Sequence, residues 1–233
     1  MAKILDNENM NLWEMNPVWA SLDESERAFI GQHVQVCHYN KNEVIHNEGD
    51  VPTHMMMLGT GKLRVYKAGV GNKIQIIRML KPYDLFAFRA LIAGETYNTS
   101  VSAFEPSNVY QVEEEAFLKV IRQNNVFCYR FMVEMARDLG RSDARMVNLT
   151  QKHIRGRLAE ALITLKENYG LDEDGATISM YMSREDLANL SNMNTANAIR
   201  TLSQFQSEGL VSIDGRKVKI LNEPQLIRTS QMG

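Results

Sequence analysis

Between residues 33 and 112, hydrophobic and polar positions alternate with a period of two. Val34-Gln35-Val36-Cys37-His38-Tyr39, Glu43-Val44-Ile45-His46, the run 55–58, Lys62-Leu63-Arg64-Val65-Tyr66 and Lys73-Ile74-Gln75-Ile76-Ile77-Arg78 each read as a short strand. Residues 98–104 and 108–112 add two more. Asn47-Glu48-Gly49-Asp50, Gly59-Thr60-Gly61 and Gly69-Val70-Gly71-Asn72 punctuate them. Many short, regularly spaced strands predict a β-sandwich or barrel. Upstream, a polar lead precedes Trp13, Trp19, Leu22, Phe29 and Ile30. A helix start at Ser21-Leu22-Asp23-Glu24 predicts one or two short helices before the strands.

After residue 112 the period lengthens. Residues 113–123 read as one helix and 126–150 as a longer one. In the longer one Cys128, Met132, Met135, Leu139, Ser142, Met146 and Leu149 step by alternating fours and threes, a heptad seam. Arg130, Glu134, Arg137, Asp138 and Arg141 surround it. Such a stripe either packs into a monomeric core or forms a two-stranded contact between subunits, and its charged flanks favour the subunit contact. Residues 154–169 form a further amphipathic helix on Ile154, Leu158, Leu162 and Leu165, ended by Gly170. The acidic loop Asp172-Glu173-Asp174-Gly175 leads to a short strand over 177–181. The domain boundary is placed near Thr150, dividing the chain into 1–150 and 151–233.

The stretch 182–209 carries the candidate chemistry. Ser183, with Asp186 three residues on, has the spacing of a capping box that opens a helix bearing Leu187 and Leu190 on its buried side. Ser191-Asn192-Met193-Asn194 interrupts it, and Asn192 suits a sharp, left-handed turn. Asn194 or Thr195 caps a second helix with Ala198, Leu202 and Phe205 on one face, and Glu208-Gly209 ends it. Two short helices across a tight turn form a helix-turn-helix, whose second helix can enter the DNA major groove. An αα-hairpin inside any helical domain has the same pattern. Asp214-Gly215 between Val211-Ser212-Ile213 and the basic run Arg216-Lys217-Val218-Lys219-Ile220 predicts a hairpin, which reads as the wing of a winged helix-turn-helix.

Composition narrows the field. At 233 residues, 44% hydrophobic and 23% charged, the chain suits one large or two medium soluble domains. No apolar run approaches a membrane span, and the Met1 to Asp6 start lacks a signal-peptide core, so a cytoplasmic protein is expected. A net charge of −2 provides no global field towards nucleic acid, so cations must be placed on a contact face. Two cysteines, Cys37 and Cys128, cannot make a four-cysteine iron–sulfur or zinc site. There is no nucleophile–base pair or metal-ligand spacing. Gly69-Val70-Gly71 lacks the helix and Lys-Ser/Thr of a phosphate loop, so no enzyme is expected.

The order of strands, long helix and winged helix-turn-helix resembles the catabolite-activator / fumarate-and-nitrate-reduction regulator (Crp/Fnr) family over roughly residues 15–225. Val44-Ile45-His46-Asn47-Glu48-Gly49-Asp50, Met57-Leu58-Gly59-Thr60-Gly61-Lys62-Leu63, Ile154-Arg155-Gly156-Arg157-Leu158-Ala159-Glu160-Ala161-Leu162 and Ser183-Arg184-Glu185-Asp186-Leu187-Ala188 carry the resemblance. It implies an α+β protein: a cyclic-nucleotide-binding-like β-roll (a jelly roll), a dimerisation helix at 126–150 and a C-terminal winged helix-turn-helix. The implied function is that of a homodimeric regulator on a near-palindromic double-stranded DNA site, with RNA polymerase as a further partner and no membrane. In the dimer helix Met132, Met135, Leu139 and Met146 are expected at the contact.

Two departures stand out. Cyclic-nucleotide-binding members carry a Glu and an Arg in the phosphate cassette, where Arg neutralises the cyclic phosphate and Glu accepts from the ribose. Here Phe88 stands at the Glu position and Asn98 at the Arg position; Thr99 alone matches, and Arg89 is expected on a strand or turn, pointing away. Cyclic AMP is therefore not expected, nor an iron–sulfur cluster. For haem, His33, His38, His46, His54, His153 and the cysteines are formal ligands, but a lone strand His reads as structural. Another small effector, or none, is expected in a pocket formed by Phe88, Arg89, Asn98 and Thr99. The second departure is in the recognition helix, where Thr195-Ala196 replace the family's Arg-Glu pair while Arg200 keeps the later Arg.

Arg200 is expected to read guanine, with Asn194, Thr195 and Asn197 at base edges, although a capping role alone fits Asn194 equally well. Ser183, Arg184, Arg216 and Lys217 are expected at phosphates. A ligand-sensing or interaction module with a degenerate helix-turn-helix is the alternative, suggested by the ten Lys+Arg and ten Asp+Glu of residues 151–233.

Overall fold

A computed structural model describes residues 3–5, 12–69, 71 and 73–232. The chain divides into two compact units, residues 1–67 with 77–139 and residues 68–76 with 140–233.

The first unit opens with β1 (Lys3–Leu5), α1 (Leu12–Met15), a 3₁₀ turn at Trp19–Ser21 and α2 (Glu24–Gln32). Asp23 caps α2 in a full capping box with Glu26. The strands are β2 (Val34–Tyr39), β3 (Val44–His46), β4 (His54–Thr60), β5 (Leu63–Ala68), β6 (Ile74–Leu80), β7 (Leu85–Phe86), β8 (Ser100–Ala103) and β9 (Ser107–Glu113). Helix α3 (Phe88–Ala93) interrupts them, and α4 (Glu114–Gln123) and α5 (Asn125–Gln151) follow. One sheet runs β1-β2-β9-β4-β7 and the other β3-β8-β5-β6.

Strand β4 explains how the sheets share the core. Its Met56 and Leu58 face the roll interior with Cys37, Tyr39, Leu63, Val65, Phe86, Val101 and Val109. Its Met55 and Met57 face the helices, with Trp19, Ile30, Phe88, Phe117, Phe127 and Phe131. Because successive side chains alternate faces, a strand covered on both sides must be apolar throughout, hence Met55-Met56-Met57-Leu58. Where β4 ends, Gly61 has φ +90°, and a Cβ there would meet the Pro106 carbonyl and the Ser107 backbone, so only glycine fits.

His46 lies 7% exposed, its ring stacked on Tyr97 with centroids 3.7 Å apart. Burial pulls its pKa down to about 4, offset in part by the Asn47 backbone and Asp50. The native state therefore holds His46 neutral while the unfolded chain protonates near its ordinary 6.5. Stability is expected to fall as pH drops from about 6.5 to about 4, by up to about 3 kcal/mol, and then level off as far as this group is concerned. Urea midpoints measured across that range check this, and His46→Phe should flatten the slope.

Several elements differ from the sequence reading. The polar lead supplies β1, which pairs with β2 (Ile4 opposite Cys37). Phe88 and Arg89 sit in the first turn of a helix, α3, entered through Ala87 at φ 66°. No strand forms over 177–181, where only the single bridges Leu171↔Ile178 and Thr177↔Lys219 occur. Side chains take over there: the Asp174 carboxylate accepts from the Ala176 and Thr177 N–H groups, and Asp172 accepts from Ser179 and Tyr181 hydroxyls.

In the second unit α6 (Ile154–Tyr169) packs on α7 (Arg184–Leu190), α8 (Thr195–Ser207) and α9 (Glu223–Met232). Leu158, Leu162, Leu187, Ala198, Leu202, Phe205 and Leu226 are buried there. The hairpin β10 (Val211–Asp214) and β11 (Lys217–Ile220) pairs in register from Val211↔Ile220 to Asp214↔Lys217.

Candidate nucleic-acid interface

Local chemistry builds the reading head. Ser183 accepts from the Asp186 N–H at 3.0 Å, and the Asp186 carboxylate reaches back to the Ser183 N–H. Asn192 takes the left-handed turn at φ 51°. The Asn194 side-chain oxygen accepts from the Asn197 N–H at 2.8 Å, so Asn194 caps α8. Its amide group is still available, because Asn194 is exposed.

Helix α8 buries Ala198, Thr201, Leu202 and Phe205. At 3.6 residues per turn the opposite face holds Ala196, Arg200 and Ser203, with Thr195 and Ile199 on its flank, all exposed. Asn197 is half-buried at the edge of that face. Among the described residues, no hydrogen bond or ion pair within the chain engages the Arg200 guanidinium or that of exposed Arg216.

The other expected phosphate contacts are partly committed inside the chain. Arg184 donates to the Gly215 carbonyl at 2.9 Å, tying α7 to the wing turn. Lys217 rests over the Tyr181 ring at 5.3 Å, and the Tyr181 hydroxyl donates to Asp172 at 2.6 Å. Lys219 pairs with Asp174 at 3.2 Å, whose carboxyl is held well below the carboxylate range by the backbone N–H groups of Thr177 and Ala176. The wing is thus anchored at its turn and along β11.

Two arginines that sequence reasoning left without a role gather the carbonyls at the helix-turn-helix turn. Arg157 on α6 donates to the Ser191 carbonyl at 3.0 Å, the Asn192 carbonyl at 3.1 Å and the Lys152 carbonyl at 3.0 Å. Arg145 near the end of α5 donates to the Leu190 carbonyl at 2.9 Å. Cations at the C-terminal end of α7 satisfy acceptors that the helix cannot, and complement its dipole. The Arg155-Gly156-Arg157 run was visible in the sequence, but its target was not. Arg155 instead pairs with Glu208 through two bonds of 2.8 and 2.7 Å.

On α5, Met132, Leu139 and Met146 are 54%, 64% and 61% exposed at seven-residue intervals. Met135 is half-buried against the core of its own unit. Cys128 and Leu149 are half-buried as well.

The expected effector residues take separate surroundings. Phe88 is buried, with its ring edge-on to Phe131 at 5.1 Å. Arg89 is exposed and paired with Glu95 at 2.8 Å. Asn98 is exposed, and its carbonyl accepts from Lys67, itself paired with Glu48 at 2.7 Å. Thr99 is half-buried. Among the formal haem ligands, ring nitrogens of His33, His38 and His54 already contact the Phe29 carbonyl, Asn108 and Thr53. His153 is the exposed N-cap of α6, and Cys37 is buried in the roll interior.

Comparison with known proteins agrees with this architecture. Residues 36–124 match the cyclic nucleotide-binding domain family and residues 156–229 the Crp-like helix-turn-helix domain family. The chain is 18% identical to the CRP-like cAMP-activated global transcriptional regulator of Mycobacterium tuberculosis, over 92% of this chain and 96% of that protein. The structure of FixK2 from Bradyrhizobium japonicum superposes with a TM-score of 0.76 at 21% identity, covering 84% of this chain and 96% of that one. A transcriptional regulator of the CRP/FNR family from Thermus thermophilus gives 0.68 at 16% identity, covering 84% and 98%. With a roll matched by one family and a reading head by the other, in the order and over the length of these relatives, the chain belongs to the Crp/Fnr family of DNA-binding transcription regulators.

Proposed function

We propose that this regulator acts in the cytoplasm as a homodimer on a near-palindromic DNA site, with α8 in the major groove and Arg200 reading guanine. The observation that carries it is the unengaged Arg200 guanidinium on the exposed face of a capped, core-anchored helix. Arg presents a bidentate fork that matches guanine O6 and N7. Asn194, Thr195 and Asn197 lie at the start of α8, where base-edge contacts concentrate. Arg216 and Lys217 on the wing, with Ser183 and Arg184 at the start of α7, are assigned to phosphates. The exposed heptad stripe of α5 supports pairing with a second copy, which would set two α8 helices one DNA turn (~34 Å) apart. RNA polymerase is a further partner implied by this reading.

The roll is read as not using cyclic AMP. A cyclic phosphate needs a cation and a ribose needs an acceptor. Phe88 is built into the hydrophobic core where the acceptor belongs, and exposed Asn98 carries no charge where the cation belongs. The roll interior is filled by Tyr39, Met56, Leu58 and Phe86, which supports either a different small effector or none.

The test is selection from a random DNA pool with the purified, unliganded protein at rising salt. Recovery of a palindromic site supports the reading. Only salt-sensitive, sequence-indifferent binding, with and without cell extract, would overturn it. On the selected site, Arg200→Ala is expected to lose ~1–3 kcal/mol while the slope of affinity against salt stays the same. Uniform weakening on all sequences with a shallower slope would make Arg200 a phosphate contact.

A further inference from the structure

The outward face of α8 carries an apolar strip that the assignment of Arg200 does not use. Ile199 is 48% exposed beside Arg200, on the flank of the helix, about 60° round from buried Leu202 and about 100° from buried Ala198. In every other turn of α8 the large apolar side chains, Leu202 and Phe205, are buried. Ala196 lies one turn earlier on the same face and is exposed. Ser203, one turn later, spends its hydroxyl on the Ile199 carbonyl at 3.0 Å. The helix holds no Asp or Glu that could accept from a cytosine amino group. Beside one guanidinium and the polar groups of Thr195, Asn197 and Ser203, this face therefore offers the methyl groups of Ala196 and Ile199.

The exposed half of Ile199, at the rim of the polar face beside Arg200, is apolar surface that the core of this unit does not cover. In the major groove only thymine presents a methyl group to match it. We infer that Ile199, backed by Ala196, is a specificity-determining residue that selects thymine through its C5-methyl group, next to the guanine read by Arg200. The inference rests on the DNA-reading assignment of α8 and goes further by naming the chemistry of a second base in each half-site. The operator half-site therefore contains adjacent guanine and thymine, with the thymine recognised by apolar contact alone.

The experiment uses the full-length protein and the site recovered by selection. Each thymine of the half-site is replaced in turn by deoxyuridine, which removes the methyl group and leaves base pairing unchanged. At one thymine beside the guanine, wild-type affinity is expected to fall about four-fold, the change that burying one methyl-sized group corresponds to. Ile199→Val should keep that sensitivity. Ile199→Ala should bind thymine and uracil sites equally, with its sequence-indifferent DNA binding unchanged. No sensitivity to uracil in the wild type, or the same sensitivity in Ile199→Ala, overturns the assignment while leaving DNA reading intact. A selected site with no thymine beside the guanine overturns it as well. Failure to select any site removes the DNA-reading assignment and this one with it.

Discussion

Replacing Leu139 and Met146 together with lysine is expected to give a folded monomer whose affinity for a two-half-site operator falls about 10²–10⁴-fold. Both side chains are more than 60% exposed and seven residues apart, so the substitution removes little packing within the chain. Their spacing with Met132 is that of a coiled-coil seam, and lysine in such a seam would bury two like charges against each other in the dimer. The charges beside the seam are already engaged within the chain: Arg137 pairs with Glu134 at 2.6 Å and Arg130 donates to the Pro17 carbonyl at 2.7 Å. The exposed apolar stripe is the surface proposed for a second copy. Without the partner, the second half-site binds as an independent molecule and the gain from joint binding disappears, whereas affinity for an isolated half-site should be unchanged. Sedimentation equilibrium and titrations on full and half operators measure both effects. A variant that remains dimeric would locate the subunit contact elsewhere.

The second large effect concerns the footing of α8. Phe205→Ala is expected to destabilise the second unit by about 3–5 kcal/mol, the range for emptying a buried aromatic site. Phe205 is 0% exposed and lies beneath the Arg155 guanidinium, 5.0 Å from its ring centroid. Arg155 is held there by the paired hydrogen bonds to Glu208 at the C-terminal end of α8, which lower the Glu208 pKa and raise that of Arg155. The substitution therefore leaves a cavity and removes the aromatic face from the guanidinium, which stays bonded to Glu208. Urea unfolding followed by a probe in residues 140–233 reads the loss. A change below about 1 kcal/mol would mean that the site collapses around the gap and that Phe205 does not anchor the reading helix.

Much of the reading head was legible because its signals act within a few residues. The Ser183–Asp186 box, the left-handed Asn192, the Asn194 cap and the Asp214-Gly215 turn are each decided by a side chain bonding or sterically permitting its own neighbourhood. The seven-residue spacing of Met132, Leu139 and Met146 was legible for the same reason, since a repeat along one helix needs no knowledge of the rest of the chain, whereas Met135 of the same stripe packs against the core of its own unit. The short strand expected over 177–181 failed where carboxylates of Asp172 and Asp174 outcompeted strand pairing for the same backbone and hydroxyl groups.

By itself, then, the sequence determined the strand period of the roll, the long helix with its stripe, and the cap, turn and wing that shape the reading head. Only the tertiary structure decided that Arg157 and Arg145 close on the carbonyls of residues 190–192, that Arg184 holds Gly215, and that Phe88 joins Phe131 in the core. The reason is physical. A cap or a turn is selected by interactions between near neighbours, whereas the partner of an arginine or a core aromatic is whichever group the folded chain brings within reach from tens of residues away.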